Sequence, residues 1–194
     1  MSFSFEKSTA SIAAWNLATF DKPDDTRITL QGKGLGYLDA ELVVLVEIRD
    51  MDHIDKLVDH LGRKGVTYRH HFVPQQEPDR DHAAMHIGIL CKDGVEVSNP
   101  QLLEGSNLGS SRHRQAYTAD IKIGNFDFHL IAVHLKSGRD QEDQTIRDEQ
   151  CKVIGQYITD LRGVQNRNPD ILLAGDFNMI PGQDISNFHH LGGN

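Results

Sequence analysis

Ile171-Leu172-Leu173-Ala174-Gly175-Asp176-Phe177-Asn178 is the stretch whose reading decides the fold. A short apolar run meets a glycine, then Asp-x-Asn, then a turn at Pro181-Gly182. A run this short, bounded by Pro169 and by Pro-Gly, predicts a fully buried strand. Its polar residues fall where a strand leaves a sheet. Asp176 and Asn178 lie two apart, so on an extended chain they share a face. A carboxylate beside an amide at a sheet rim can orient a water and hold an anion. The same pair also suits a strand-end Asx turn, common in α/β proteins, so the rest of the chain must decide between the two.

The 194 residues are 38% hydrophobic and 25% charged, ordinary for one globular domain with a sizeable core. No apolar run approaches a membrane span, and Met1 to Lys7 lacks the basic flank and apolar segment of a secretory signal. Cys91 and Cys151 are the only cysteines. They form no metal spacing or disulfide framework and lean toward a reducing compartment, the cytoplasm. A net charge of −8 argues against coating nucleic acid by bulk electrostatics. It leaves room for a nuclease that neutralises phosphate locally with a metal and a few basic residues.

In chain order, Ser11 to Leu17 predicts a strand with Asn16 near its end, and Phe20 to Gly36 a polar loop. Leu42 to Val46, five aliphatics running into Glu47, predicts a central strand covered on both faces. Asp52 is expected to cap a helix through Ile54, Leu57, Val58 and Leu61, ended by Gly62 and Gly65. His70-His71 and Gln75 to Asp81 read as polar connection, and Met85 to Cys91 as a strand. Ser98 to Ser111 reads as loop. Ala116 to Ile123 and Phe126 to Leu135 form a hairpin across Gly124-Asn125. Thr145 to Leu161 is the clearest helix, with Ile146, Val153, Ile154, Tyr157, Ile158 and Leu161 inward and Arg147, Asp148, Glu149 and Lys152 outward. There is no internal repeat and no linker, so residues 1–194 form one domain.

Several strands thus end in polar residues: Asn16, Glu47, His134, then Asp176 with Asn178. Taken singly, Asn16 also suits a turn cap, Glu47 a pairing with a cation and His134 the place of a satisfied rim histidine. Together the sequence resembles the endonuclease/exonuclease/phosphatase superfamily of metal-dependent phosphoesterases. The matching pieces are Trp15-Asn16-Leu17, Leu45-Val46-Glu47-Ile48, Arg114-Gln115-Ala116-Tyr117, Val133-His134-Leu135-Lys136-Ser137-Gly138 and Gly175-Asp176-Phe177-Asn178. They run through most of the chain in the family's order.

The resemblance implies a four-layer α/β sandwich, two mixed sheets face to face with helices outside and the site at one rim. It implies Glu47 as ligand of Mg²⁺ or Mn²⁺ with Asn16 beside it, and Asp176 positioning or deprotonating the attacking water. Asn178 would hold a phosphate oxygen, His134 would contact the phosphate or act as an acid, and Arg114 would lie near the substrate phosphate. These residue types suit the chemistry. An anionic phosphodiester repels hydroxide, so hydrolysis needs charge neutralisation, an oriented water and donors for the developing oxyanion, and Mg²⁺ prefers oxygen ligands.

No His-Glu-x-x-His, Cys-x-x-Cys or P-loop pattern occurs, and His82 with His86, around a strand start, is not expected to share a metal. Two features depart from the family. Its late Asp-His pair is absent, because the chain stops at Asn194 after the loop-like His189-His190; the domain is therefore expected to be incomplete, with its C-terminal strands missing. The Tyr and Glu of the deoxyribonuclease branch are also absent around Ala84-Met85-His86. A nuclease acting on DNA or RNA is the leading expectation. The alternatives are a lipid or small-molecule phosphoesterase of sphingomyelinase or inositol-phosphatase type, and a binding module without catalysis.

Overall fold

A computed structural model describes residues 9–20, 24–75, 85–164 and 170–192. The connection expected after Gln75, His82, Ala84, Pro169 and the N-terminal segment to Lys7 lie outside the described residues. In chain order the first half forms β1 (Ile12–Phe20), α1 (Asp25–Leu38), β2 (Leu42–Ile48), α2 (Met51–Gly62), β3 (Arg69–Phe72) and β4 (His86–Cys91). The second half forms β5 (Val95–Leu102), β6 (Tyr117–Ile123), β7 (Phe126–His134), α3 (Gln141–Gly163), β8 (Ile171–Asp176) and α4 (Ile185–Leu191).

The strands make two four-stranded sheets, ordered β1-β2-β4-β3 and β5-β6-β7-β8. Each is mixed: β1–β2 and β7–β8 run parallel, and the other neighbours run antiparallel. The aliphatic run of β2 is covered on both faces as expected. Leu42, Val44 and Val46 join Ile87, Ile89, Tyr117, Leu130 and Ala132 in the core between the sheets. Val43, Leu45 and Ile48 face the other way, against Leu35 of α1 and Ile54 and Leu57 of α2. On the far side, Cys151, Ile154 and Ile158 of α3 pack on Ile131 and Val133 of β7. The result is helix, sheet, sheet, helix, the expected four layers.

Several elements differ from their sequence reading. The stretch expected as a loop to Gly36 contains α1, capped by Asp24, whose carboxylate accepts the Arg27 N–H at 2.6 Å. Two of its three glycines serve packing: a Cβ would stand 2.8 Å from the His60 ring at Gly32 and 2.5 Å from the Trp15 ring at Gly34. At α2 the capping residue is Asp50, accepting from the Asp52 N–H, and the helix ends at Gly62. His70-His71 lies in β3, too short and polar to reveal a period. Ser98 to Leu102 belongs to β5, an edge strand where Pro100 sits at a break in register and needs no donor. β8 is half-buried throughout, because among the described residues β7 is its only partner within the sheet. Arg147, expected outward, is wholly buried, and His189-His190 lies in α4.

Candidate active site

Parallel pairing of β1 with β2 and of β7 with β8 carries the ends of all four strands to one rim. Asn16 lies at the centre. Its amide nitrogen donates to Glu47 Oε1 at 2.9 Å and to Asp176 Oδ2 at 2.8 Å, so one side chain from β1 ties a carboxylate of each sheet. Its oxygen accepts the Ala18 N–H at 2.7 Å, which fixes the amide's orientation.

Glu47 reaches the rim through a bulge. The β2–β4 register breaks between Leu45 and Ile48, and Glu47 has φ 63°. A left-handed angle costs a non-glycine residue roughly 1–2 kcal/mol, and bulges of this kind re-aim a side chain at a strand end. Ala18, at the matching break in β1, has φ 52°.

His134 stands directly opposite Asp176 in the β7–β8 register, with Nε2 3.8 Å from Glu47 Oε1. It is buried, and its Nδ1 has no hydrogen-bond partner among the described residues. Burial and the nearby Arg114 cation push its pKa down to about 4, against the pull of Asp176 and Glu47. At neutral pH it is a neutral imidazole, able to offer a nitrogen lone pair.

Asp176 and Asn178 do not share a face, because the chain leaves the extended conformation after Asp176. Asn178 has φ 50°, and its N–H donates to Asp176 Oδ1 at 2.9 Å. Its side-chain amide donates to the Leu135 carbonyl at 3.0 Å, and the Leu135 N–H donates to the Asp176 carbonyl at 3.0 Å. An Asx turn and a rim carboxylate are therefore both present in the same residues. Gly175 permits the close pairing: φ is 125°, and a Cβ there would lie 2.1 Å from the Val133 carbonyl oxygen.

Arg114 approaches from the loop before β6. Its Nη2 lies 3.2 Å from Met85 Sδ, and its Nε is buried without a partner among the described residues. Burial lowers its pKa from the usual arginine value, while the charges of Glu47 and Asp176 oppose that shift. Glu47, His134 and Asp176 each offer a ligand atom, and these atoms lie within 4.8 Å of one another. Two carboxylates and a neutral imidazole are a donor set that fits a divalent cation.

Two further residues shape the rim from beneath. The Arg147 guanidinium donates to the Lys136 and Gly138 carbonyls at 3.0 and 2.9 Å, and to both oxygens of Asp184 at 3.2 Å. Asp184 in turn accepts the Ile180 N–H at 2.7 Å. One turn along α3, Gln150 accepts the Lys136 N–H at 2.9 Å and donates to the Ser106 carbonyl at 3.2 Å. These side chains join the loops that follow His134 and Asn178 to the loop that carries Arg114. The heptad-like stripe of α3 hid them, since polar residues between apolar ones read as solvent-facing; the signal that could have found them is their spacing of three on the best-patterned helix.

No protein-family model matches the chain, and no curated protein matches it either. Solved structures do. TDP2 of D. rerio complexed with single strand DNA product has TM-score 0.67 and 20% identity, covering 96% of this chain and 66% of that one. TDP2 of C. elegans gives 0.61 and 20%, over 90% of this chain and 49% of that one. A β-hairpin deletion mutant of beta toxin from Staphylococcus aureus gives 0.70 and 17%, over 95% and 73%. The chain thus spans about half the length of the C. elegans structure. With its two mixed sheets, outer helices and this set of neighbours, the chain has the DNase I-like fold of the endonuclease/exonuclease/phosphatase superfamily.

Proposed function

We propose that this chain is a divalent-cation-dependent phosphodiesterase, a nuclease that cuts DNA or RNA with an activated water. The observation that carries the reading is the convergence of Glu47, His134 and Asp176 within 4.8 Å, with Asn16 bridging the carboxylates and Arg114 alongside. Glu47, His134 and Asp176 would hold Mg²⁺ or Mn²⁺, which supplies Lewis-acid polarisation of a phosphoryl oxygen. Asp176 accepts a proton from the attacking water or orients it. Arg114, whose Nε has no partner among the described residues, neutralises a phosphate oxygen as charge develops. Neutral His134 can ligate or donate to phosphate, but with its pKa at about 4 it holds no spare proton at neutral pH. Asn178 keeps one amide hydrogen for a non-bridging oxygen after bonding Leu135. The D. rerio structure with single strand DNA product supports nucleic acid as the substrate class.

The test is hydrolysis of plasmid DNA, a single-stranded oligonucleotide, an RNA oligomer and sphingomyelin vesicles, each in Mg²⁺, Mn²⁺ and EDTA. Metal-dependent cleavage of DNA or RNA, lost in Asp176→Ala, is expected. Turnover of sphingomyelin alone would move the assignment to a lipid phosphodiesterase, and no turnover of any substrate by folded protein would leave a binding module.

A further inference from the structure

The Arg114 side chain has few partners of its own. Among the described residues its hydrogen bonding is limited to Nη2 on Met85 Sδ at 3.2 Å, a weak acceptor, and its Nε is buried with no partner. A guanidinium held so lightly takes its direction from packing and from where its backbone is fixed.

That backbone is clamped from both sides just after Arg114. On one side, Ser106 Oγ accepts the Ala116 N–H at 2.9 Å and the Ala116 carbonyl accepts the Leu103 N–H at 2.8 Å. On the other side the partner is a side chain. The Gln75 amide accepts the Gln115 N–H at 2.9 Å and donates to the Gln115 carbonyl at 2.8 Å, the paired exchange that a neighbouring antiparallel strand makes with one residue. Gln75 is itself fixed: it is buried, and its backbone N–H donates at 3.1 Å to Nδ1 of His86, a buried residue of β4. Gln75 lies just beyond β3 of the first sheet and Gln115 just before β6 of the second. The amide therefore ties the two halves together beside Arg114, as Asn16 ties Glu47 to Asp176.

Resting on the nuclease reading above, we propose that Gln75 is a positioning residue for Arg114: its amide, paired with the Gln115 backbone, aims the guanidinium at the phosphate held beside Glu47 and Asp176. Among the described residues Gln75 makes no hydrogen bond to Glu47, His134 or Asp176, so its role runs through Arg114. A displacement of about 1 Å in such a group costs up to about 100-fold in rate.

The experiment compares wild type, Gln75→Met, Arg114→Ala and the double variant. Gln75→Met keeps the volume of the side chain and removes its donor and acceptor. Hydrolysis of a single-stranded oligonucleotide in Mn²⁺ should lose at least ~10-fold in kcat in Gln75→Met with KM little changed, because the arginine acts on charge that appears in the transition state. Arg114→Ala should lose ~100-fold. Adding Gln75→Met to it should cost less than ~2-fold more, since two residues that act as one are not additive. Mn²⁺ affinity by calorimetry should match wild type in Gln75→Met. A second readout needs no turnover. In ¹H–¹⁵N spectra in EDTA, the buried Arg114 Nε–H, identified by its loss in Arg114→Ala, should exchange with water at least ~10-fold faster in Gln75→Met than in wild type. Gln75→Glu keeps the acceptor for the Gln115 N–H and loses the donor to its carbonyl; it should fall between wild type and Gln75→Met, and it serves if Gln75→Met does not fold.

Unchanged kcat in Gln75→Met, a further ~10-fold loss in the double variant, weakened Mn²⁺ binding, or equal Nε–H exchange would overturn the proposal. Failure of wild type to hydrolyse the oligonucleotide would instead strike the nuclease reading, and the exchange readout would still decide whether Gln75 holds Arg114.

Discussion

Glu47 occupies a left-handed backbone position that a glutamate adopts only when its surroundings require it, and the bulge that imposes the angle also delivers its carboxylate to Asn16. Removal of that carboxylate should reduce metal-dependent hydrolysis by at least ~100-fold in Glu47→Ala, measured with the enzyme saturated in oligonucleotide. His134 makes a separate claim about stability. Its pKa of about 4 in the fold lies below the ordinary histidine value of 6.5, so between these values the unfolded chain binds the extra proton. Its contribution is complete above about pH 6.5 and is lost as pH falls toward 4, at a slope of at most ~1.4 kcal/mol per pH unit. Urea unfolding in EDTA should show that slope in wild type and its absence in His134→Gln; parallel curves would contradict it. Asn16, expected near the end of its strand, sits in the middle of β1, which runs on to Phe20, whereas Glu47, His134 and Asp176 were legible because each lies at or beside the end of a plain apolar strand. The bulges at Ala18 and Glu47 and the left-handed turn at Asn178 were not, since they arise from register between strands far apart in sequence.

At the scale of elements, α3 does two jobs with one pattern. Its apolar stripe packs on β7, and between those residues Arg147 and Gln150 hold the rim loops. Arg147→Met would leave Asp184 a buried carboxylate without its cation, which should cost about 3–5 kcal/mol by chemical denaturation. Equal stability of the variant and wild type would show that Arg147 is not engaged. α1 gives the opposite lesson about legibility. Its three glycines read as loop, but Gly34 is where the Trp15 ring lies against the helix. Gly34→Ala should therefore destabilise by about 1–3 kcal/mol, whereas Gly36→Ala, with nothing within 4 Å of the added Cβ, should stabilise by about 0.5–1 kcal/mol. The pair measures packing against propensity on one helix, and thermal unfolding reads both. β3 and β5 escaped detection for a related reason: edge strands carry polar residues and a proline that a buried strand would not.

At the scale of the molecule, two sheets meeting face to face bring Asn16 and Glu47 from one and His134 and Asp176 from the other to a single rim, so the site exists only when both halves are folded together. No helix among the described residues is long and apolar enough to cross a membrane. The order of strand-end motifs made the four-layer architecture legible, while the closeness of the cluster depends on how the sheets are stacked, which no local pattern records. A cation bound at that junction should stabilise the whole fold, by about 2.7 kcal/mol when its concentration is a hundred times Kd. The most direct measurement is a calorimetric titration of Mn²⁺ into the wild-type protein beside Glu47→Ala. One saturable site in wild type, weakened at least ~10-fold in the variant, is the expected result. Binding absent from the folded wild type, or equal in the two proteins, would contradict a metal centre at Glu47, His134 and Asp176.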